Sequence, residues 1–384
     1  MKKKKVGIIT FHNSYNCGSM LQAFALQNVL NKYKVDNEII DFSNEGQHEV
    51  YSVYSKNNNL KNIIKNILML FYGKKVAKNF ESYEEFKKRN FKLSQNKYNK
   101  SDELSDKEYS MVVSGSDQVW NITIEDGDDA YFLPWVKNAY KVAYAPSFGA
   151  KNILEYADKP DKYRKLISDF DSISIREENG KKWIKELCNK DVPVLLDPTL
   201  LLEKSDYEKI ATKMDKLPKE YIFYYSPGYK KNINNLVKKI SKKYNLPVIA
   251  FNAKNFYIKG MNLSSNFKVP EIEDPSVYLS LIKNAKIVVT TSFHGAIFST
   301  IFKKNFWVIK NGGMFGSDDR VLTLVKALDL EDRLIPIEYD ETFNYLKEKD
   351  YSTYDEKLPK LQKKSQEYIE KNIVERVRNN EIGK

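Results

Sequence analysis

Short apolar runs alternate with amphipathic stretches along the first 200 residues. Buried strands are predicted at residues 6–11, 38–42, 111–113, 141–145, 172–175 and 194–196. Between them, residues 19–32 carry one helical pattern and residues 59–92 carry two. Strands that alternate with helices predict βαβ units, and therefore a parallel sheet.

A second series with the same alternation begins near residue 221. Its predicted strands are residues 221–225, 247–251, 287–289 and 306–309, and its predicted helices are residues 232–243, 275–283, 296–302 and 320–328. The sequence therefore predicts an α/β protein with two Rossmann-like domains, residues 1–203 and 204–340, facing each other across a cleft. Residues 341–384 are expected to form a lysine-rich helical tail that packs back on the body.

Composition narrows the class of protein. The 384 residues are 42% hydrophobic and 13% aromatic, which suits ordinary globular cores. The formal net charge of +12 comes from 56 lysines and only seven arginines. Because the lysines are spread along the whole chain, the charge does not predict a nucleic-acid partner. Cys17 and Cys188 have neither disulfide nor metal spacing, which favours a cytoplasmic protein.

Residues 60–71 form an amphipathic stretch followed by Lys74, Lys75 and Lys78. The commoner structure for such a stretch is a helix that packs on the protein. A peripheral contact with an anionic membrane surface is the alternative. No apolar run in the sequence approaches the roughly 20 residues that a membrane-spanning helix needs.

His294 is one of only three histidines and lies where a strand meets a helix. Residues 287–289 are the strand, Thr291 and Ser292 end it, and Gly295 opens the helix. Open α/β sheets bind ligands at this edge, and the free N–H groups of a helix start attract anions. The alternative is a histidine that only caps the helix.

Polar residues also follow two strands of the first series. Asn13 and Asn16 lie in the turn after residues 6–11, where they suit either a sugar contact or an Asx-rich turn without a ligand. Asp117 follows residues 111–113 and suits either a sugar hydroxyl or a helix cap.

Arg176 ends the strand at residues 172–175 in a chain that seldom uses arginine. This choice favours anion recognition, with a salt bridge to Glu177 or Glu178 as the alternative. Residues 312–320 form a glycine-rich loop that ends in Asp318, Asp319 and Arg320 and suits a lid or a phosphate cradle.

Several familiar chemistries lack their motifs in this chain. No G-x-G-x-x-G fingerprint, P-loop, H-E-x-x-H pair or G-x-S-x-G elbow is present. The sequence therefore does not predict a dinucleotide cofactor, a catalytic zinc ion or a serine hydrolase.

Taken in chain order, these motifs resemble those of the polysaccharide pyruvyl transferase family. The resemblance extends from residue 6 to about residue 330 and rests on residues 7–18, 114–118, 145–149, 173–176, 196–199, 291–295 and 317–320. Each segment is short, but their common order is specific. The chain departs from the family in two places, with Ser292 where many members have arginine and Ser19 where many have aspartate.

The resemblance implies a fold similar to GT-B glycosyltransferases and an enzyme that moves the enolpyruvyl group of phosphoenolpyruvate onto a sugar as a ketal. It maps the catalytic residues onto His294 and Arg176. The expected donor-binding residues are Ser292, Gly295, Lys310 and Arg320, and the expected acceptor-binding residues are Asn13, Asn16 and Asp117. No metal or redox cofactor is expected.

The expected partner is a sugar or lipid-linked glycan of a surface polysaccharide, met in the cytoplasm or at the inner face of the membrane. The oligomeric state is left open. One alternative function is a GT-B glycosyltransferase that uses a nucleotide sugar, for which Glu271 and Glu273 are poorly placed to hold the ribose. The other is a non-catalytic protein that binds acidic glycans through its basic surface.

Overall fold

The computed structural model describes residues 5–214, 216–310 and 319–382, and the chain divides into two compact units. The first unit comprises residues 1–51, 87–202 and 357–384, and the second comprises residues 52–86 and 203–356. Each contains a parallel sheet with helices, so the predicted α/β class with two Rossmann-like domains is confirmed. Their predicted arrangement across a cleft stays a prediction.

Within the described residues the strands are β1 (Lys5–Ile9), β2 (Asn37–Phe42), β3 (Leu93–Tyr98), β4 (Tyr109–Ser114), β5 (Tyr140–Ala143), β6 (Ser172–Ile173), β7 (Ile222–Tyr225), β8 (Val248–Phe251), β9 (Ile287–Thr290), β10 (Phe306–Ile309) and β11 (Leu334–Ile335). The helices are α1 (Cys17–Lys32), α2 (Glu45–Val50), α3 (Leu60–Asn90), α4 (Ile153–Tyr156), α5 (Pro160–Ser168), α6 (Glu178–Cys188), α7 (Lys204–Ile210), α8 (Lys231–Tyr244), α9 (Ala253–Ile258), α10 (Met261–Ser264), α11 (Pro275–Asn284), α12 (Phe293–Ile301), α13 (Asp319–Leu328), α14 (Ser352–Ile369) and α15 (Glu375–Ile382). A π-helical turn joins α14 to α15.

The sheet of the first unit has the order β3-β2-β1-β4-β5-β6, with every pair parallel. β1 and β4 are mostly apolar and buried, as is usual for the inner strands of a parallel sheet. β3 was not predicted from the sequence, because it is a polar edge strand with little buried surface. The strand predicted at residues 194–196 is reduced to one bridge between Val194 and Ile175.

The sheet of the second unit has the order β11-β10-β9-β7-β8 and is also parallel. Its central strands β7 and β9 are fully buried runs of large apolar side chains. The apolar surface that these strands present on both faces explains why this unit is covered by helices.

Two chain segments belong to units other than those suggested by their position in the sequence. Residues 52–86 lie with the second unit, where Asn79 and Ser82 of α3 hydrogen-bond the Glu273 and Asp274 side chains at 3.1 and 2.6 Å. The tail from residue 357 lies with the first unit, where the Ser365 hydroxyl accepts a bond from the Leu196 amide at 3.1 Å. A helical pattern reveals an apolar face but not which core covers it.

Candidate active site

Each sheet has one point where the winding of the chain reverses direction. In the first unit this point lies between β1 and β4, and in the second unit between β7 and β9. In open α/β sheets, ligands bind outside the carboxyl ends of the strands at such points. Residues 10–18 follow β1, residues 115–117 follow β4 and residues 291–295 follow β9, so three of the predicted motifs lie at the reversal points.

His294 is the second residue of α12, which begins directly after β9. Ser292 has an extended backbone, and its hydroxyl accepts a hydrogen bond from the Gly295 amide at 3.2 Å. Ser292 is therefore the cap of the helix, and His294 lies within its first turn. The imidazole lies edge-on to the Phe293 ring, with centroids 5.2 Å apart, and the residue is 7% exposed.

Hydroxyl groups fix the ends of β7 and β9 to each other. The Thr290 hydroxyl donates to the Tyr225 carbonyl at 2.8 Å and accepts from the Ser292 amide at 3.0 Å. The Ser226 and Thr291 hydroxyls are 2.9 Å apart. These bonds hold the first turn of α12 in one position relative to the sheet, as a site for a reacting group requires.

Lys310 lies at the same edge of the sheet as the start of α12. Val308 of β10 pairs with Thr290 of β9, so Lys310, two residues further on, follows the end of the neighbouring strand. Lys310 is exposed, whereas Arg320 in the first turn of α13 is buried. The glycine-rich loop at residues 311–318, including Asp318, lies outside the described residues.

The turn after β1 holds the two predicted asparagines by internal bonds. Asn16 caps α1, since its side-chain oxygen accepts from the Gly18 and Ser19 amides at 2.9 and 3.4 Å. The Asn13 side-chain oxygen accepts from the Lys87 ammonium group. Asn16 remains half-buried, and Asn13 is 9% exposed.

Arg176 forms a buried cluster with two aspartates. Its guanidinium lies 2.5 Å from the Asp197 carboxylate and 3.5 Å from the Asp117 carboxylate, and its side chain is 2% exposed. These partners are neither of the glutamates weighed from the sequence. The guanidinium charge is therefore already balanced by two buried carboxylates.

Asp117 occupies a left-handed turn instead of a helix cap. Its φ of 74° is uncommon for a residue other than glycine, although aspartate tolerates it better than most. Its backbone carbonyl accepts from the Ser147 amide at 2.7 Å. Together with the Arg176 contact, this bond fixes the Asp117 carboxylate at the edge of the first sheet.

A family model described as polysaccharide pyruvyl transferase matches residues 16–313. The chain belongs to the polysaccharide pyruvyl transferase family. It is therefore an enzyme of the transferase class that acts in polysaccharide biosynthesis, and the family implies a sugar acceptor. The matched residues include Asn16, Asp117, Arg176 and His294, each described above. No curated protein sequence matches this chain.

Three solved structures illustrate which proteins have a chain path similar to this one. MnaA of S. aureus, in a co-structure with UDP, shares 13% identity over 96% of this chain and 96% of that chain, with a TM-score of 0.49. UDP-GlcNAc 2-epimerase of Methanocaldococcus jannaschii shares 14% over 94% and 92%, with a TM-score of 0.47. The E. coli heptosyltransferase WaaC shares 11% over 84% and 99%, with a TM-score of 0.38.

One polar pair of this pyruvyl transferase was missed by the sequence reasoning. His12 is fully buried after β1, and its ring nitrogens lie 3.2 Å from the Thr10 carbonyl and 3.0 Å from the Asp41 carboxylate. Burial raises the pKa of Asp41, but the hydrogen bond and charge of His12, with Lys87 and Lys97, outweigh burial and lower it. Only the parallel pairing of β1 with β2 brings these residues together.

Glu273, weighed above as a ribose ligand of a nucleotide-sugar enzyme, has a structural role in this pyruvyl transferase. Its carboxylate accepts from the Asn252 and Ala253 amides at 2.9 and 2.8 Å, where α9 begins, and from Asn79. Burial raises the pKa of Glu273 to about 7, against the opposing effect of these backbone bonds and of Lys75. The exposed Glu271 instead lies 3.5 Å from Lys78.

Gly295 allows α12 to approach β9 closely. A methyl group on this residue would overlap the Thr290 hydroxyl and lie 3.0 Å from the Thr290 Cβ. Thr290 cannot easily turn away because its hydroxyl bonds the Tyr225 carbonyl. The glycine predicted to bind the donor is thus required by packing.

The substitution Gly295→Ala should lower the free energy of unfolding by about 1–3 kcal/mol, the usual cost of overpacking. Gly228→Ala in the same unit is the control, since a methyl group there meets no atom within 4 Å. Denaturant unfolding of both variants measures the difference. Equal stability of the two variants would contradict the packing requirement.

Neither a metal site nor a membrane span is found in the parts of the chain that the structure describes. Across residues 5–214, 216–310 and 319–382, no three His, Cys, Asp or Glu side chains are grouped to hold a metal ion. In the same ranges, every helix is too short or too polar to cross a bilayer.

Proposed function

We propose that this member of the family transfers the enolpyruvyl group of phosphoenolpyruvate to two hydroxyls of one sugar, forming a ketal and releasing phosphate. One observation carries the proposal. His294 lies in the first turn of α12, whose cap is Ser292, at the reversal point of the second sheet. This titratable side chain also falls within the segment matched by the family model.

The reaction needs one proton delivered to carbon and one leaving group expelled. Protonation of the terminal carbon of phosphoenolpyruvate makes its second carbon electrophilic, and a sugar hydroxyl adds there and loses its proton. A second hydroxyl then forms the other C–O bond as the C–O bond to phosphate breaks, and the proton of that hydroxyl leaves with the phosphate. We assign the proton transfer at carbon to His294, because an imidazole serves such transfers near neutral pH.

The donor carries a carboxylate and a phosphate, so its site must offer positive charge and amide donors. The first turn of α12, beside Ser292 and Gly295, is assigned to an anionic group of the donor, because the start of a helix attracts anions. Lys310, exposed beyond β10, is assigned to one anionic group of the donor. Arg320 at the start of α13 remains a further candidate for the same task.

For Arg176 we propose a positioning role in place of the donor clamp expected from the resemblance. Its guanidinium is enclosed with Asp197 and Asp117, so its charge is already compensated. Held in this way, Asp117 would present a carboxylate edge to an acceptor hydroxyl. Asn13 and Asn16 lie at the end of the strand next to β4 and would contact the same sugar.

A phosphate-release screen tests the proposed function. Phosphoenolpyruvate is offered with a panel of free sugars and lipid-linked precursors, and inorganic phosphate is measured with and without enzyme. We expect enzyme- and acceptor-dependent phosphate with at least one acceptor, and a product heavier by one carboxyethylidene group. Acceptor-dependent phosphate release would also reject the non-catalytic glycan-binding alternative. No phosphate release with any acceptor of the panel would count against phosphoenolpyruvate as the donor.

A thermal-shift comparison separates this function from nucleotide-sugar transfer. The true donor raises the melting temperature by mass action, since it binds the folded state alone. Phosphoenolpyruvate is expected to produce the shift and UDP-sugars are not, because the Glu273 carboxylate already accepts from the Asn252 and Ala253 amides. A shift with UDP-sugars alone would favour the alternative function.

A further inference from the structure

The first three turns of α3 present an apolar stripe to solvent. Its members are spaced by three and four residues, as one face of a helix requires. They are between 41% and 77% exposed: Leu60, Ile63, Ile64, Ile67, Leu70 and Phe71. Isolated exposed apolar residues are ordinary, but a contiguous group of six marks an interaction surface.

The stripe is not the side through which α3 contacts the rest of the protein. α3 packs on the protein through the opposite side of the helix. Met69 and Val76 on that side are about 1% exposed. Tyr72 stacks on Tyr257 of α9 with ring centroids 3.9 Å apart, and its hydroxyl accepts from the Asn262 amide group at 2.8 Å. The helix is therefore already anchored to the second unit while the stripe faces outward.

The chain segments that carry the stripe and its neighbours are rich in lysine. Residues 51–80 contain six lysines and no acidic residue, and residues 253–270, which include α9 and α10, contain three lysines and again none. Lys61 and Lys74 are exposed at the two ends of the stripe. Leu263 of α10, next to the Asn262 that bonds Tyr72, adds a side chain that is 84% exposed.

We propose that this surface docks on an anionic phospholipid membrane, with α3 lying in the plane of the interface. A helix with an apolar face and lysines at its borders inserts the apolar face below the headgroups and pairs the lysines with lipid phosphates. A second copy of this chain fits less well, because two such surfaces would bring like charges together. The sequence favoured a helix packed on the protein, which α3 is through its buried side, and the membrane contact is proposed for its exposed apolar side.

The proposal stands apart from the catalytic assignment, since no residue of the stripe has a role in pyruvyl transfer. Its consequence is location: a docked enzyme would meet a lipid-linked acceptor at the membrane surface. The test therefore measures binding and does not use activity.

Co-sedimentation with vesicles tests the docking surface in the full-length protein. Vesicles of phosphatidylcholine mixed with phosphatidylglycerol are expected to bind it, and vesicles of phosphatidylcholine alone to bind it at least about tenfold more weakly. Binding should also weaken as salt is raised, because salt screens the lysine–phosphate attraction. Equal binding to both vesicle types, or none to either, would overturn the proposal.

Two sets of variants locate the contact. Ile67→Asp should weaken binding about tenfold or more, and Ile64→Asp with Ile67→Asp further, because apolar burial is lost and negative charge is added. Tyr156→Asp is the control, since it introduces an aspartate at a 49% exposed aromatic residue of α4, outside the stripe. Lys61→Gln with Lys74→Gln should weaken binding about fivefold for each lysine, and Lys363→Gln with Lys364→Gln should not.

Melting temperatures of all variants must match that of the wild type, as expected for exposed positions, and any that unfolds is replaced by Ile64→Ser with Ile67→Ser. Sedimentation velocity without vesicles tests whether a second copy of this chain binds the stripe instead of a membrane. A dimer in the wild type that Ile67→Asp dissociates would overturn the membrane assignment in favour of a second copy. Control variants that lose as much vesicle binding as the stripe variants would overturn it too.

Discussion

Replacing His294 with alanine is expected to cut the turnover of pyruvyl transfer by roughly a hundredfold or more, the usual share of a general acid. The imidazole lies in the first turn of α12, and no other histidine belongs to the second unit. Ser292 and not His294 caps the helix, so the change leaves α12 its N-terminal hydrogen bond. The loss should therefore appear in turnover and not in folding.

Phosphate release from phosphoenolpyruvate with the acceptor identified in the screen measures the effect. His48→Ala is the matched control, since His48 is an exposed histidine of α2 and should behave like the wild type. Circular dichroism and melting temperature report folding in parallel. Wild-type turnover in a folded His294→Ala protein would remove the residue from the mechanism.

Replacing Arg176 with methionine should lower the free energy of unfolding by about 3–5 kcal/mol, the cost of leaving buried charges without their partner. Asp197 and Asp117 have side chains that are 0% and 4% exposed, so water cannot readily take the place of the guanidinium. The same variant should lose activity, because Asp117 would no longer be held in position.

Arg164→Met is the control for the loss of an arginine. Its ion pair with Asp161 is exposed at the surface of α5, where such pairs contribute about 0–1 kcal/mol. The double variant Arg176→Met with Asp197→Asn should recover part of the lost stability, since it removes one unpaired charge. Denaturant unfolding measures all of them, and a cost for Arg176→Met no greater than that for Arg164→Met would exclude a buried cluster.

The central strands of both sheets could be predicted because they are buried on both faces and appear as continuous apolar runs. Residues 287–289 are such a run, and the structure places β9 at Ile287–Thr290. An edge strand carries no such signal, which is why the polar β3 went unpredicted. The start of α12 was predicted about two residues late, because the cap lies at Ser292 and not beyond His294.

The residues of the candidate site could be predicted only where they are close together in the sequence. Ser292, His294 and Gly295 lie within four positions of each other, at a strand-to-helix junction that the sequence predicts. The partners of Arg176 are not, since Asp197 and Asp117 approach it only when separate strand ends meet at one edge. The same holds for His12 and Asp41, which no local pattern connects.

The sequence by itself determined the alternation of strands and helices, the α/β class and the family, because periodicity and ordered motifs are properties of neighbouring residues. Only the tertiary structure decided which charges are already paired, which core covers α3 and which face of that helix remains in solvent. These depend on contacts between residues far apart in the chain, and hydrophobic periodicity gives the direction of a face without naming its partner.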